Sequence, residues 1–361
     1  MENLLRILTE TPGPAGQEAA VREAIVEEIR PVVSDLREDP LGNLIAQIGP
    51  AEGYRIGVLA HMDEVGFIGT GISDRGLIRF DMAGSIDPRM LPGLEVDLMA
   101  DDGHLVRGVI GHLSRHLQTP QDMAAPITIQ QLLIDIGARS REEVLARGIQ
   151  VGSGIVFATK FLRYPNGAIL AKALDDRVGC AVLIKALQTL RSSLKNTSLY
   201  GMFTCQEEIG AKGAQVVAFD SRPQMTITLD VVPTKNPDQI AVGDVQIGEG
   251  PVIRIFDWHS STKFGMFTHP LIKARLLQAA QEEKIPYQTD VLTSTFLDSS
   301  QVHLTAGGIP GGSIVFPRRY SHGPVELGHL SDVVNGLKLL CAFIRSVDRE
   351  PLRFGRVFKK G

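Results

Sequence analysis

The chain has few cysteines, no long apolar run and no block of like charge, and each shortage removes a class of explanation. Its 361 residues include three cysteines, Cys180, Cys205 and Cys341. Odd in number and far apart, they build neither a disulfide framework nor a CxxC metal knuckle. A reducing compartment is the simplest setting for them. No stretch approaches the ~20 consecutive apolar residues that cross a bilayer, so no membrane partner is expected. The net charge of −4, with no basic run, gives no field that would gather nucleic acid. Acidic tails and low-complexity segments are also missing. The first residues, Met-Glu-Asn-Leu-Leu-Arg-Ile-Leu, lack the basic and apolar blocks of a signal peptide, and the expected location is the cytoplasm.

What is present is ordinary globular material, 43% apolar and 22% charged. The length suits one large domain plus a smaller one. Apolar periodicity predicts helices over residues 17–30, 176–190, 270–283 and 331–347, with Pro270 in a first turn where its missing N–H costs nothing. Short apolar runs predict buried strands over 55–60, 198–204, 225–229 and 313–316. Strands alternating with helices indicate an α/β fold with a mixed, largely parallel sheet flanked by helices.

Residues 65–159 break this alternation. They are rich in glycine and in short apolar runs such as Leu77-Ile78-Arg79-Phe80, with one capped helix start at Ser140-Arg-Glu-Glu143. The chain therefore divides into a first part of the main domain over 1–64, an inserted β-rich module over 65–159, and the rest of the main domain over 160–361. With few long periodic segments, the insert is expected to have little core of its own and to pack on a neighbour or roof the site.

Five segments place chemistry-bearing side chains just after predicted strands. His61 follows 55–60, Glu207 and Glu208 follow 198–204, and Asp230 follows 225–229. Asp175 follows the apolar run 168–174, and His322 comes a few residues after 313–316. Ligands of an open parallel sheet bind at the carboxyl ends of its strands, so all five segments are expected along one sheet edge. Imidazoles and carboxylates without thiolate suit zinc, cobalt or manganese. Two such ions can share a hydroxide and polarise a carbonyl, and a spare carboxylate can carry the proton. The adjacent pair Glu207 and Glu208 allows one ligand and one base.

Each segment also has an ordinary explanation. His61 alone reads as a half-buried histidine, Asp175-Asp176 as a helix cap, Asp230 as a strand-end turn and His322 as a turn residue before Gly323-Pro324. The five together do not. His104, His112, His116, His259, His269, His303 and His329 lack such company, and Gly307-Gly308 with Gly311-Gly312 has the wrong spacing for a phosphate cradle.

These residues resemble the M42 metallo-aminopeptidases, the group of glutamyl and tetrahedral aminopeptidases. The matching stretches are Ala60-His-Met-Asp-Glu-Val-Gly66, Leu132-Leu-Ile-Asp-Ile-Gly-Ala138, Ala173-Leu-Asp-Asp-Arg-Val-Gly179, Gln206-Glu-Glu-Ile-Gly-Ala-Lys-Gly213, Leu229-Asp-Val231 and Arg319-Tyr-Ser-His-Gly-Pro-Val-Glu326. The resemblance implies that His61 and Asp230 hold one metal, Glu208 and His322 the other, and that Asp175 bridges them. It implies Glu207 as general base, Asp63 as the carboxylate that orients His61, and often a cis peptide between Asp175 and Asp176. It further implies that the insert, an expected small β-barrel-like domain, makes dimers that build a tetrahedral dodecamer, and that the substrate is a peptide. Two departures touch the substrate side: Gly323 where members usually have serine, and Phe296-Leu-Asp-Ser299 where Gly-Thr-Asp-Ala is common. The rival expectations are a clan-related metallo-deacylase or carboxypeptidase, and a non-catalytic assembly protein on the same scaffold. An endoglucanase would need two carboxylates flanking a sugar rather than a histidine-rich metal set.

Overall fold

The computed structural model describes residues 1–355. Its centre is a nine-stranded mixed sheet. Four strands run parallel through the middle in the order Thr197–Thr204, Tyr54–His61, Met225–Pro233 and Gly311–Arg318. They are nearly continuous apolar runs because helices cover both faces, which leaves no solvated side to alternate with. Strand Leu44–Ile48, with Asp35–Glu38 beside it, flanks one side. Val252–Trp258, with Gly265–Phe267 and Gln288–Leu292, flanks the other.

The larger face packs on helices Glu2–Glu10, Ala19–Ile29, Leu174–Leu190, Pro270–Glu282 and Leu330–Arg349. Leu174–Leu190 is apolar nearly all round, so it lies buried between the sheet and its neighbouring helices. The opposite face packs on Lys212–Ser221 and the short helix Ser299–Val302. None of the described helices is long and apolar enough to cross a membrane.

Strands Gly66–Ile72, Ile78–Ala83, Leu133–Asp135, Leu105–Gly111, Glu95–Met99 and Gly154–Phe157 close into an antiparallel barrel. Contrary to the sequence-based expectation, the barrel has a core of its own. Phe67 meets Phe80 and Phe157 edge-to-face at 5.2 and 5.4 Å, surrounded by buried aliphatic residues such as Val96, Leu98, Ile110 and Ile134. Closure is the reason: each short strand sends its alternate side chains inward, and six strands pool them. A small three-stranded sheet of Leu162–Arg163, Ala168–Ala171 and Glu326–His329 packs beside the end of the strand Gly311–Arg318.

Candidate metal centre

Four of the expected segments meet at the carboxyl ends of the parallel strands. His61 ends its strand and pairs in register with Thr204, so the loop holding Glu207 and Glu208 leaves the sheet beside it. Two placements differ from expectation. Asp230 lies inside its strand, which continues to Pro233 because Val231 and Val232 keep pairing with the next strand. Asp175 does not follow a strand of the main sheet: the preceding strand Ala168–Ala171 belongs to the small sheet, and Asp175 enters from the side at a helix start.

The Asp175-Asp176 pair divides its labour. Asp176 accepts the backbone N–H of Gly179 at 2.9 Å and caps the helix, while Asp175 turns to the site. Gly179 is required here, because a Cβ would stand 2.2 Å from the Asp176 carboxylate. The peptide between the two aspartates is cis.

Ligand atoms of His61, Asp175 and Asp230 lie within 4.8 Å of one another, and so do those of Asp175, Glu208 and His322. The two groups share Asp175, whose Oδ1 lies 3.0 Å from His61 Nε2 and whose Oδ2 lies 3.3 Å from His322 Nε2. Both imidazoles are oriented through their other nitrogen. His61 Nδ1 donates to the carbonyl of Asp63 at 3.1 Å, and His322 Nδ1 donates to the carbonyl of Ser85 at 2.8 Å. A carbonyl only accepts, so each Nε2 is left with its lone pair toward the cluster when the ring is neutral. The Asp63 carboxylate, fully buried, stands 3.5 Å from His61 Nδ1 and accepts the backbone N–H of both Glu207 and Glu208 at 3.0 Å. It fixes the two glutamates as well as touching the histidine.

Glu207 lies outside both groups but lines the same cleft of about 290 Å³, together with Asp175, Glu208, Asp230 and His322. Larger grooves of about 500 and 1020 Å³ lie elsewhere, and neither is lined by any of these residues. Three residues around the cluster sit in the left-handed region, Ala173 at φ 54°, Gln206 at 58° and His322 at 54°. Each such placement costs about 1–3 kcal/mol and is held by the surrounding structure.

Sequence reasoning missed several contributors. Arg318 ends its strand behind Asp175 and contacts Asp175 Oδ2; Glu326 accepts the backbone N–H of Asp175 and of His322, both at 3.1 Å. His259 and Ser85 line the cleft, beside Phe296 of the stretch that the sequence already places on the substrate side. Glu326 closes the last family-like stretch, and Arg318 is a charge at the end of an otherwise uncharged buried strand, a visible but unspecific signal. His269 and His329 instead cap helices through Nδ1.

The electrostatics suit cations. Burial, helped by the Asp175 charge, pushes Asp230 up to about 7, and burial pushes Glu208 up to about 8. Burial alone would lower His322, but Glu208 and Asp175 outweigh it and carry it to about 9. Burial raises Glu207 well above the carboxylate range, opposed by His61 and reinforced by Asp230 and Glu208. Asp175 stays ionised against its burial through Arg318, His322 and His61. Glu208 Oε1 is buried without a hydrogen-bond partner among the described residues. An orphaned carboxylate oxygen within a nitrogen-and-oxygen donor set fits a divalent ion.

A pH dependence follows. Groups with raised pKa hold protons below those values, and a ligand must lose its proton to bind metal. Divalent-ion affinity is expected to climb from pH 6 to pH 9, roughly tenfold per pH unit for each proton released. Competition titrations against an indicator chelator at pH 6, 7 and 8 measure this. An affinity flat across that range contradicts the raised pKa values of Asp230, Glu208 and His322.

A sequence profile of the M42 glutamyl aminopeptidase family matches residues 42–339. A putative aminopeptidase of Acetivibrio thermocellus is 36% identical over 94% of this chain and 97% of its own length. Among solved structures, an aminopeptidase of the archaeon Desulfurococcus kamchatkensis is 34% identical with a TM-score of 0.89, covering 95% of this chain and 94% of that one. The TET1 peptidase of Pyrococcus horikoshii, which can assemble into a tetrahedron or a large octahedral shell, is 33% identical with a TM-score of 0.84, covering 94% of this chain and 98% of that one. With its α/β sheet, its closed barrel and its cluster of candidate metal ligands, the chain belongs to the M42 family of glutamyl aminopeptidases and is a hydrolase of the exopeptidase class.

Proposed function

We propose that this aminopeptidase works with two divalent ions, one held by His61, Asp230 and Asp175 and the other by Glu208, His322 and Asp175, with Glu207 as general base. Zinc and cobalt suit the donors. Bound there, such ions would polarise a peptide carbonyl and would make a water acidic enough to lose a proton at neutral pH. Glu207 would take a proton from the water whose oxygen bonds to the carbonyl carbon, and would return it to the amide nitrogen as the C–N bond breaks, freeing the N-terminal residue. Asp63 fixes where Glu207 starts from, by holding its backbone N–H. One observation carries the reading: a buried carboxylate, Glu207, lines the cleft without belonging to either ligand group. A structural metal site has no use for a spare base.

Purified protein is expected to cleave aminoacyl-p-nitroanilides with added zinc or cobalt, to lose the activity on exhaustive chelation, and to spare N-acetylated peptides. Activity that survives chelation sinks the metal mechanism; acetylated peptides cleaved as fast as free ones sink the N-terminal specificity.

We also propose that residues 65–159 form the dimerisation domain and that dimers build a tetrahedral dodecamer whose enclosed sites admit unfolded peptides. Supporting this, Leu105, Val109, Leu113, Leu117 and Met123 are exposed apolar side chains on that part of the chain, and burying them against a partner would be favourable. Light scattering is expected to give several times the mass of one 39.2 kDa chain. A mass of one chain, independent of concentration and metal, removes the proposal. Cytoplasmic residence fits the three unpaired, buried cysteines.

A further inference from the structure

Arg318 is buried, with 3% exposure, at the end of the strand Gly311–Arg318. Its Nη2 donates to Oδ2 of Asp175. Its Nη1 stands 3.1 Å from Glu326 Oε1, close enough for an ion pair though not aligned as a hydrogen bond. Glu326 in turn holds the backbone N–H groups of Asp175 and His322. A permanent cation is therefore built into the wall behind Asp175.

Its placement is lopsided. The two oxygens of Asp175 face different candidate sites: Oδ1 faces His61, and Oδ2 faces His322. Arg318 engages Oδ2. Among the described residues, no lysine or arginine pairs with Oδ1, and the Asp175 ion pairs are with His61, Arg318 and His322. An ion joining Asp230 and His61 would meet an oxygen with no guanidinium on it. An ion joining Glu208 and His322 would have to share or displace one.

We propose that Arg318 is a positioning residue that makes the two metal sites unequal, weakening the Glu208–His322 site and leaving the His61–Asp230 site tight. The inference rests on the two-metal reading above. Two effects act together. The guanidinium competes for the Oδ2 lone pairs, and its charge repels a second cation in a site where water screens little. Before metal arrives, the same guanidinium, held in turn by Glu326, keeps the Asp175 side chain in place. The chain thus holds a metal-ready pocket when empty, and its second ion exchanges readily.

The test is a cobalt(II) titration of the full chain by calorimetry, with metal content checked by elemental analysis. Wild type is expected to bind two ions in resolved steps. In Arg318→Met the weaker step is expected to tighten by ~10–100-fold, the range in which groups behind the ligands move metal affinity, and the steps to draw together. The metal-free melting temperature is expected to fall. Arg318→Lys keeps the charge and is expected to keep the gap. Two equal steps in wild type overturn the inference without any variant, as does a folded Arg318→Met whose weaker step is unchanged, or an Arg318→Lys that closes the gap. These outcomes leave the two-metal reading standing. Fewer than two ions in wild type removes both.

Discussion

Glu207→Gln is expected to leave fold and metal content unchanged while lowering kcat by ~10²–10⁴, the usual contribution of a positioned acid–base group. The substitution keeps shape and removes only the ability to take a proton. Glu207 lies outside both ligand groups, so neither ion depends on its charge. Its backbone N–H still bonds Asp63, so the loop keeps its course. Burial raises its pKa above the usual carboxylate range, which makes it a stronger proton acceptor than an exposed carboxylate. Kinetics beside elemental analysis decide the matter. Normal turnover in a metal-replete variant refutes the base assignment; lost metal moves Glu207 into the ligand set.

Asp175→Asn is expected to do more harm to metal binding than any other single ligand change. Both candidate groups include Asp175, so each ion loses an anionic donor. The loss in affinity at each site should exceed the ~10–100-fold that weaker, indirect changes produce. His61→Ala touches one group only and should leave the other ion bound. A second effect is stability. Asp175 is a partner of the buried Arg318, and breaking a buried ion pair from one side costs about 3–5 kcal/mol. Glu326 retains part of that guanidinium, which places the expected loss at the low end. Two measurements separate the effects: metal per chain, and melting in the presence of chelator. Two ions per chain in the Asp175 variant contradicts its shared role.

Much of the fold was legible in the sequence for a simple reason. Helices and strands announce themselves through local periodicity, and strands buried on both faces are rich in apolar residues. The runs around 55–60, 198–204 and 313–316 became central parallel strands, and the carboxyl-edge rule drew His61, Glu207, Glu208, Asp230 and His322 to one edge. Asp230 reads as a strand-end residue in the sequence because a lone carboxylate in a central strand looks unfavourable until the neighbouring strand and the cluster are known.

The remainder depended on contacts between segments distant in the chain. Whether the barrel had a core turned on strand closure, which pools side chains from residues 65 to 157. The tautomer of His322 depends on the carbonyl of Ser85, 237 residues away, and the posture of Glu207 on Asp63, 144 residues away. The charge of Asp175 depends on Arg318, 143 residues away. Residue type and spacing specify which donors the chain carries and which edge they reach. Distance between side chains, their tautomers and their protonation depend on three-dimensional neighbours and on exclusion of water, and those exist only once the chain has folded.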